Sequence, residues 1–274
     1  MLQSPATVAH GAKPLLRWAG SKRWLLPVIH GRYYSSSATT FYEPFAGSAA
    51  AFLTLDDSPH GIINDVIPEI INMYNAVRDS PDDVHEALSQ WSPSETEYYR
   101  VRALKNLTPT EAAARTLYLN RQCFNGLYRT NRSGEFNVPY GRPKSDSMPT
   151  LDELKRAATR LNSATIECGD FQNAIRDADS SSFIFFDPPY TQEATTRRFY
   201  QYNHQTFTWK EQRRLRDVCA TLRQREIPFI VTLPDSEDYR ALYEGFKYES
   251  YSRYSSISGA VARRRQISEL VISS

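Results

Sequence analysis

The chain has 274 residues, 41% of them hydrophobic, and its 33 Lys and Arg against 31 Asp and Glu leave a net charge of +2. That apolar content excludes wholesale disorder. With no apolar run of 18 residues and no charged-then-apolar leader, the expectation is a soluble cytoplasmic protein. Cys123, Cys168 and Cys219 are odd in number and lack CxxC spacing, so they predict reduced thiols rather than disulfides or a zinc site.

Residues 1–13 have the character of a loose terminus. Trp18-Ala19-Gly20-Ser21-Lys22 is a small-residue turn between an aromatic and a cation, and it opens a helix. A polar loop at 35–40 leads into Phe41-Tyr42-Glu43, a short strand that ends where Pro44 has no N–H to donate. Gly47-Ser48-Ala49-Ala50-Ala51-Phe52 then turns into a helix of small residues, and Gly61-Ile62-Ile63-Asn64-Asp65 is a buried strand ending in an acid. Strand, glycine turn, helix and strand in this order make a βαβ unit of a parallel sheet.

The pattern turns helical next, at 68–78, 81–90, 94–106 and 110–120. Residues 121–144 carry Asn, Gly and Arg without helical period, with Gly134 placed to turn a hairpin. After Thr150 the alternation resumes: helix 150–162, strands 164–168 and 182–186, helix 208–225 and strand 228–233. Segments 248–255 and 266–272 alternate as two antiparallel strands around a basic turn. The simplest organisation is an α/β domain of residues 1–66 and 150–274, interrupted by a helical and hairpin insertion at 67–149.

The overall charge balance predicts no polyanion partner, but its distribution does. Between 115 and 144 lie Arg115, Arg121, Arg129, Arg132, Arg142 and Lys144 against the single acid Glu135, and Arg263-Arg264-Arg265 forms a second cluster. Basic surface with nearby rings suits nucleic acid; a solvated loop over core aromatics has the same composition.

Asp187-Pro188-Pro189-Tyr190 follows an apolar run, which puts the acid at the carboxyl end of a buried strand, where open α/β sheets bind ligands. An acid, a carbonyl fixed by two prolines and a ring can hold a planar group through an exocyclic amine. Asp187 and the Pro188 carbonyl each accept one N–H while Tyr190 stacks, which draws the nitrogen lone pair out of conjugation. The same tetrapeptide also suits a plain strand cap with Tyr190 in the core. Glu43-Pro44-Phe45-Ala46-Gly47 sits at the first strand-to-helix turn without the GxGxxG fingerprint, which favours a nucleoside cofactor lacking phosphates. Asp65, ending the next strand, can accept from ribose hydroxyls. In the run from Asn120 to Arg142, Arg129, Asn125 and Asn131 offer groups for base edges, and Lys144 a phosphate contact.

Taken in order, RWAGSK, EPFAG, the acid of INDV, LNRQCFNGLYRTNRSGEFNVPYGR and DPPY resemble the Dam-type (D12 class) DNA adenine-N6 methyltransferases from about Leu15 to Ile272. EPFAG and DPPY are shared with many amino-methyltransferases, whereas the long central stretch is specific to the Dam branch. The resemblance implies a Rossmann-like S-adenosylmethionine-dependent methyltransferase sheet with a target-recognition insert. It implies that Trp18, Lys22, Asp65 and Asp187 bind S-adenosylmethionine, beside the turn of Glu43, Phe45 and Gly47. Asp187, Pro188, Pro189 and Tyr190 would hold a flipped adenine. Phe124, Asn125, Leu127, Arg129, Pro139 and Arg142 would read a GATC-type site, and Arg17 stands where the family commonly has a DNA-contacting Lys.

The partner implied is double-stranded DNA, with no metal, a monomeric protein and a nucleoid-associated place in the cytoplasm. Cys123 stands where the family usually has Gly, a departure that would relax base contacts, and Thr232-Leu233-Pro234-Asp235 stands where it typically has Ser-Asn-His-Asp, so no role is carried over to that loop. The residues alone leave cytosine-N4 transfer, glutamine transfer in proteins and a catalytically inactive DNA-binding module as other readings.

Overall fold

In the computed structural model, residues 11–57, 59–131, 133–143, 148–191, 207–254 and 266–274 are described. The apolar runs expected as strands form β1 (Thr40–Glu43), β2 (His60–Asp65), β3 (Ala164–Cys168), β4 (Ser182–Phe186) and β5 (Phe229–Pro234), and the alternating C-terminal segments form β6 (Lys247–Tyr254) and β7 (Gln266–Ser273). Among the described residues they make one seven-stranded sheet in the order β3-β2-β1-β4-β5-β7-β6. β1 to β5 are mutually parallel, and β7 runs antiparallel between β5 and β6. The strand order reverses between β1 and β4, so a crevice opens past their carboxyl ends.

Every residue of β4 is buried, as a central parallel strand requires. Its side chains alternate in destination: Phe183 and Phe185 join the core on one face of the sheet, Ile184 and Phe186 the core on the other.

The helices are α1 (Leu26–Ser35), α2 (Ala50–Leu53), α3 (Pro68–Asp79), α4 (Pro81–Ser89), α5 (Glu95–Ala103), α6 (Pro109–Gln122), α7 (Leu151–Leu161), α8 (Phe171–Ala174), α9 (Trp209–Gln224) and α10 (Glu237–Leu242). Capping boxes start α6, through Thr108 and Glu111, and α7, through Thr150 and Glu153, so the two helices begin at Pro109 and Leu151, each one residue from its expected start. Helix α5 stops three residues short of the expected span, at Ala103, because Leu104 takes an extended backbone (ψ 139°). The short α8 and α10 were not expected, being less than two turns long.

The helical segment α3–α6 has no separate core. Tyr74, Val84, Tyr98 and Leu117 belong to the same apolar cluster as Phe41 and Phe183 of the sheet and Leu154 of α7. The hairpin after α6 forms as expected, with antiparallel bridges Cys123–Tyr140 and Thr130–Phe136 and Gly134 at φ +78° in its turn. Among the described residues no helix is long and apolar enough to cross a membrane.

Candidate active site

Because β1, β2, β4 and β5 run parallel, Glu43, Asp65, Asp187 and Pro234 emerge on one edge of the sheet. The turn after β1 is pinned from several sides. The Gly47 N–H donates to Asp65 Oδ2 at 2.9 Å, and the Ile67 N–H to Asp65 Oδ1 at 3.0 Å. The Tyr74 hydroxyl donates to the Gly47 carbonyl at 2.8 Å, and Asn64 Nδ2 to the Pro44 carbonyl at 2.9 Å. Gly47 sits at φ +47°, and a Cβ there would lie 2.4 Å from Nε1 of Trp18, so its bareness is what lets the indole close over the turn. Burial raises the Asp65 pKa, against the pull of the N–H groups it accepts.

Glu43 is tied to the start of α2. Its buried carboxyl accepts the Phe52 N–H at 3.0 Å and, with that of Ala51, serves the first turn of α2; burial pushes its pKa up to about 8. The Phe45 ring is half-buried and stacks on Phe171 at 5.2 Å.

Asp187 keeps 20% of its side chain exposed at the mouth of the crevice. Lys22, only 3% exposed, places Nζ 2.8 Å from Asp187 Oδ1, donates to the Gly20 carbonyl at 2.6 Å and lies 4.8 Å over the Tyr190 ring. The fully buried Thr232 donates its hydroxyl to Asp187 Oδ1 at 2.8 Å. Glu269, buried on β7, places Oε2 3.7 Å from Lys22 Nζ. Burial first, then the charges of Asp187 and Glu269, hold the Tyr190 phenol well above its ordinary pKa. The proline turn is braced from behind: Gln212 Nε2 donates to the Pro189 carbonyl at 3.0 Å, and the Tyr239 hydroxyl bonds both backbone groups of Thr191. This is a polar, partly open centre, not an aliphatic core.

Glu269, Gln212 and Tyr239 escape sequence reading, and Thr232 lies in the segment whose role could not be carried over. Glu269 does leave a trace, being an acid on a strand that continues Leu270-Val271-Ile272 into the core. Its burial between β5 and β6 on the sheet is what gives that trace meaning.

Residues 17–22 connect this centre to the hairpin. Asn120 clips the Arg17 backbone, accepting its N–H at 2.7 Å and donating to its carbonyl at 2.8 Å. Gly126, at φ +62°, leaves room for Arg17, whose Cβ would be 2.5 Å from a Cβ added there. Trp18 sits 6.2 Å from the Tyr128 ring on its way to Lys22 and Asp187.

Of the hairpin residues, Phe124 (48% exposed), Asn125 (φ 54°) and Pro139 lie together on an exposed rim, tied by a 3.0 Å bond from the Phe124 N–H to the Pro139 carbonyl. Arg129 is half-buried, its guanidinium on the side-chain and backbone oxygens of Asn137 at 2.7 and 3.2 Å. Arg142 is exposed, 3.8 Å from Glu95. Leu127 is half-buried against the core. Asn131 spends its side chain inside the turn, accepting the Ser133 and Glu135 N–H groups and donating to the Glu135 carboxylate. Lys144, Arg132 and the cluster at 263–265 lie outside the described residues. Among the described residues no group of three His, Cys, Asp or Glu is placed to hold a metal ion.

Residues 18–257 match the family model of the D12 class N6 adenine-specific DNA methyltransferases. The chain is 32% identical to a Type II methyltransferase of Lactococcus lactis subsp. cremoris, over 95% of this chain and 94% of that protein. It is also 32% identical to the DNA adenine methylases of Escherichia coli (94% of both chains) and of Haemophilus influenzae (94% of this chain and 92% of that one). The family description names adenine N6, which removes the cytosine and protein-glutamine readings, and these matches fall on a chain whose β4 delivers Asp187 to the switch point of the sheet. The chain therefore belongs to the D12 class N6 adenine-specific DNA methyltransferases.

Proposed function

We propose that the chain transfers a methyl group from S-adenosylmethionine to N6 of an adenine flipped out of duplex DNA, in a GATC-like site. The observation that carries the chemistry is the Lys22 nitrogen 2.8 Å from Asp187 Oδ1 and over the face of Tyr190. An amine nitrogen is already accommodated by the carboxylate and ring on which a target amine would depend.

The donor set fits a sulfonium nucleoside better than a phosphate cofactor. Two carboxylates, Asp187 and Glu269, lie 2.8 and 3.7 Å from the Lys22 ammonium, and carboxylates attract a sulfonium where they would repel a phosphate. When bound, S-adenosylmethionine supplies a methyl group already activated by the sulfonium charge. Asp65, the Gly47 turn, Phe45 and Trp18 would hold it, with Lys22 beside them. Asp187 and the Pro188 carbonyl would accept the two N6 hydrogens, and Tyr190 would stack on the purine. Asp187 acts as acceptor and orienter in this reading and need not take the proton.

Extruding the base costs a few kcal/mol, which contacts from the hairpin rim would offset. Arg17, Phe124, Asn125, Leu127, Arg129, Pro139 and Arg142 would read the site, with Lys144 on a phosphate. Asn131 fits this role less well, since its side chain is committed to the turn. We assign DNA reading to residues 67–149 and catalysis to 1–66 and 150–274, in a monomer that works in the nucleoid-bearing cytoplasm.

The test is to incubate purified protein with plasmid DNA and S-adenosylmethionine, then map modified adenines by nuclease sensitivity and base analysis. N6-methyladenine confined to GATC-like sites is expected, with Asp187→Ala slower by several orders of magnitude. Wild-type turnover in Asp187→Ala, or methylation spread over unrelated sequences, would overturn the proposal.

A further inference from the structure

We infer that Glu269 is a positioning residue of the methyl-transfer centre: it is the second counter-ion, which receives the Lys22 ammonium when a target amine takes Asp187. The inference rests on the function proposed above and deepens it.

A target amine that takes Asp187 Oδ1 competes with Lys22 for that oxygen. Asp187 Oδ1 already accepts from both Lys22 Nζ and the Thr232 hydroxyl, each at 2.8 Å, and Lys22 also covers the Tyr190 ring. An amine arriving on that oxygen and that ring face must displace the ammonium. At 3% exposure Lys22 has no short route to water, and a buried cation stripped of its partner is strongly disfavoured. Glu269 Oε2, itself on a side chain only 4% exposed, is 3.7 Å away. A shift of about 1 Å would bring that pair to the 2.8 Å that Lys22 now keeps from Asp187.

The acceptor is held rigidly. Glu269 lies on β7 between two strands, in register with Pro234 of β5 and Tyr251 of β6. The charge count follows the same logic. With Lys22 moved onto Glu269, Asp187 meets the amine with its full negative charge. With Lys22 retained, the ammonium would compete for the same lone pairs and weaken Asp187 as an acceptor.

The experiment uses the full chain and two duplexes, one with adenine and one with unsubstituted purine, which lacks the 6-amine, at the target position. Each is titrated with sinefungin present as an unreactive donor analogue. Sinefungin affinity without DNA, thermal melting and single-turnover methylation complete the set. Glu269→Gln should bind sinefungin and the purine duplex as the wild type does. It should lose affinity for the adenine duplex alone and transfer the methyl roughly 100-fold more slowly. Glu269→Asp, which keeps the charge, should recover part of both losses.

Equal behaviour of Glu269→Gln and wild type on adenine overturns the inference. So does a loss spread evenly over both duplexes, sinefungin and melting temperature, which marks a structural role. A wild type that neither prefers a specific duplex nor methylates it overturns the proposed function, and this inference with it.

Discussion

Glu43 stands at the turn expected to hold the cofactor, and its buried carboxyl accepts from the backbone of α2. The effect of that burial can be measured. Burial lifts its pKa from 4.5 to about 8, with the Phe52 and Ala51 N–H groups pulling the other way. The folded chain therefore keeps the proton over a range in which the unfolded chain has lost it. The stability this confers is complete below pH 4.5 and is lost as pH rises through about 8. At about 1.36 kcal/mol per pH unit, the interval between those two values sets a ceiling of about 5 kcal/mol.

Glu43→Gln keeps the shape and one acceptor oxygen for the Phe52 N–H but cannot ionise. Urea unfolding across this pH range should show the variant level with wild type at the acid end. It should be more stable by a few kcal/mol at the alkaline end, the difference growing with pH. Parallel pH profiles would refute the reasoning. So would a variant that is the less stable of the two at high pH, since that would mean the ionised carboxylate is welcome at the helix start.

Two further substitutions probe the walls of the site. Thr232→Val removes the hydroxyl that donates to Asp187 while keeping the volume; a bond to a charged acceptor is worth about 1.5–3 kcal/mol, and transfer should slow by at least about 10-fold, whereas Thr232→Ser stays near wild type. Equal rates for Val and Ser in single-turnover assays would show that the bond does not matter. Gly47→Ala puts a Cβ 2.4 Å from Trp18 Nε1 at φ +47°, so unfolding should show a loss of about 2–4 kcal/mol with weakened donor binding by calorimetry. An unchanged melt would mean that the indole yields freely.

Strand β4 and the acid after it were legible because an uninterrupted apolar run closed by Asp-Pro-Pro is a local pattern, and so were the helix starts at Thr108 and Thr150. What stayed hidden was which side chain meets which across the sheet. Thr232 reaches Asp187 over 45 positions, Tyr239 reaches Thr191 over 48, and Asn120 reaches Arg17 over 103. No periodicity encodes such pairs. Asparagine is ambiguous for a related reason: its amide satisfies backbone groups as readily as base edges. Asn131 closes the hairpin turn and Asn120 clips a distant strand of backbone, though both stood in a run that reads as base recognition.

Residues 17–22 join the two halves of the proposed reaction. Two glycines at positive φ, Gly126 and Gly47, leave room for Arg17 at the hairpin and Trp18 at the β1 turn, and the segment ends with Lys22 on Asp187. A chain of contacts is not coupling; coupling needs an element with two discrete arrangements that both sites bias. In the inferred scheme Lys22 is that element, with Asp187 as one partner and Glu269 as the other. Hairpin contacts that draw Arg17 toward DNA would then act on the same segment that must release Asp187. Loss of Glu269 should therefore blunt discrimination by the reading rim as well as the rate, because a segment held in one arrangement cannot report that the correct site has been found.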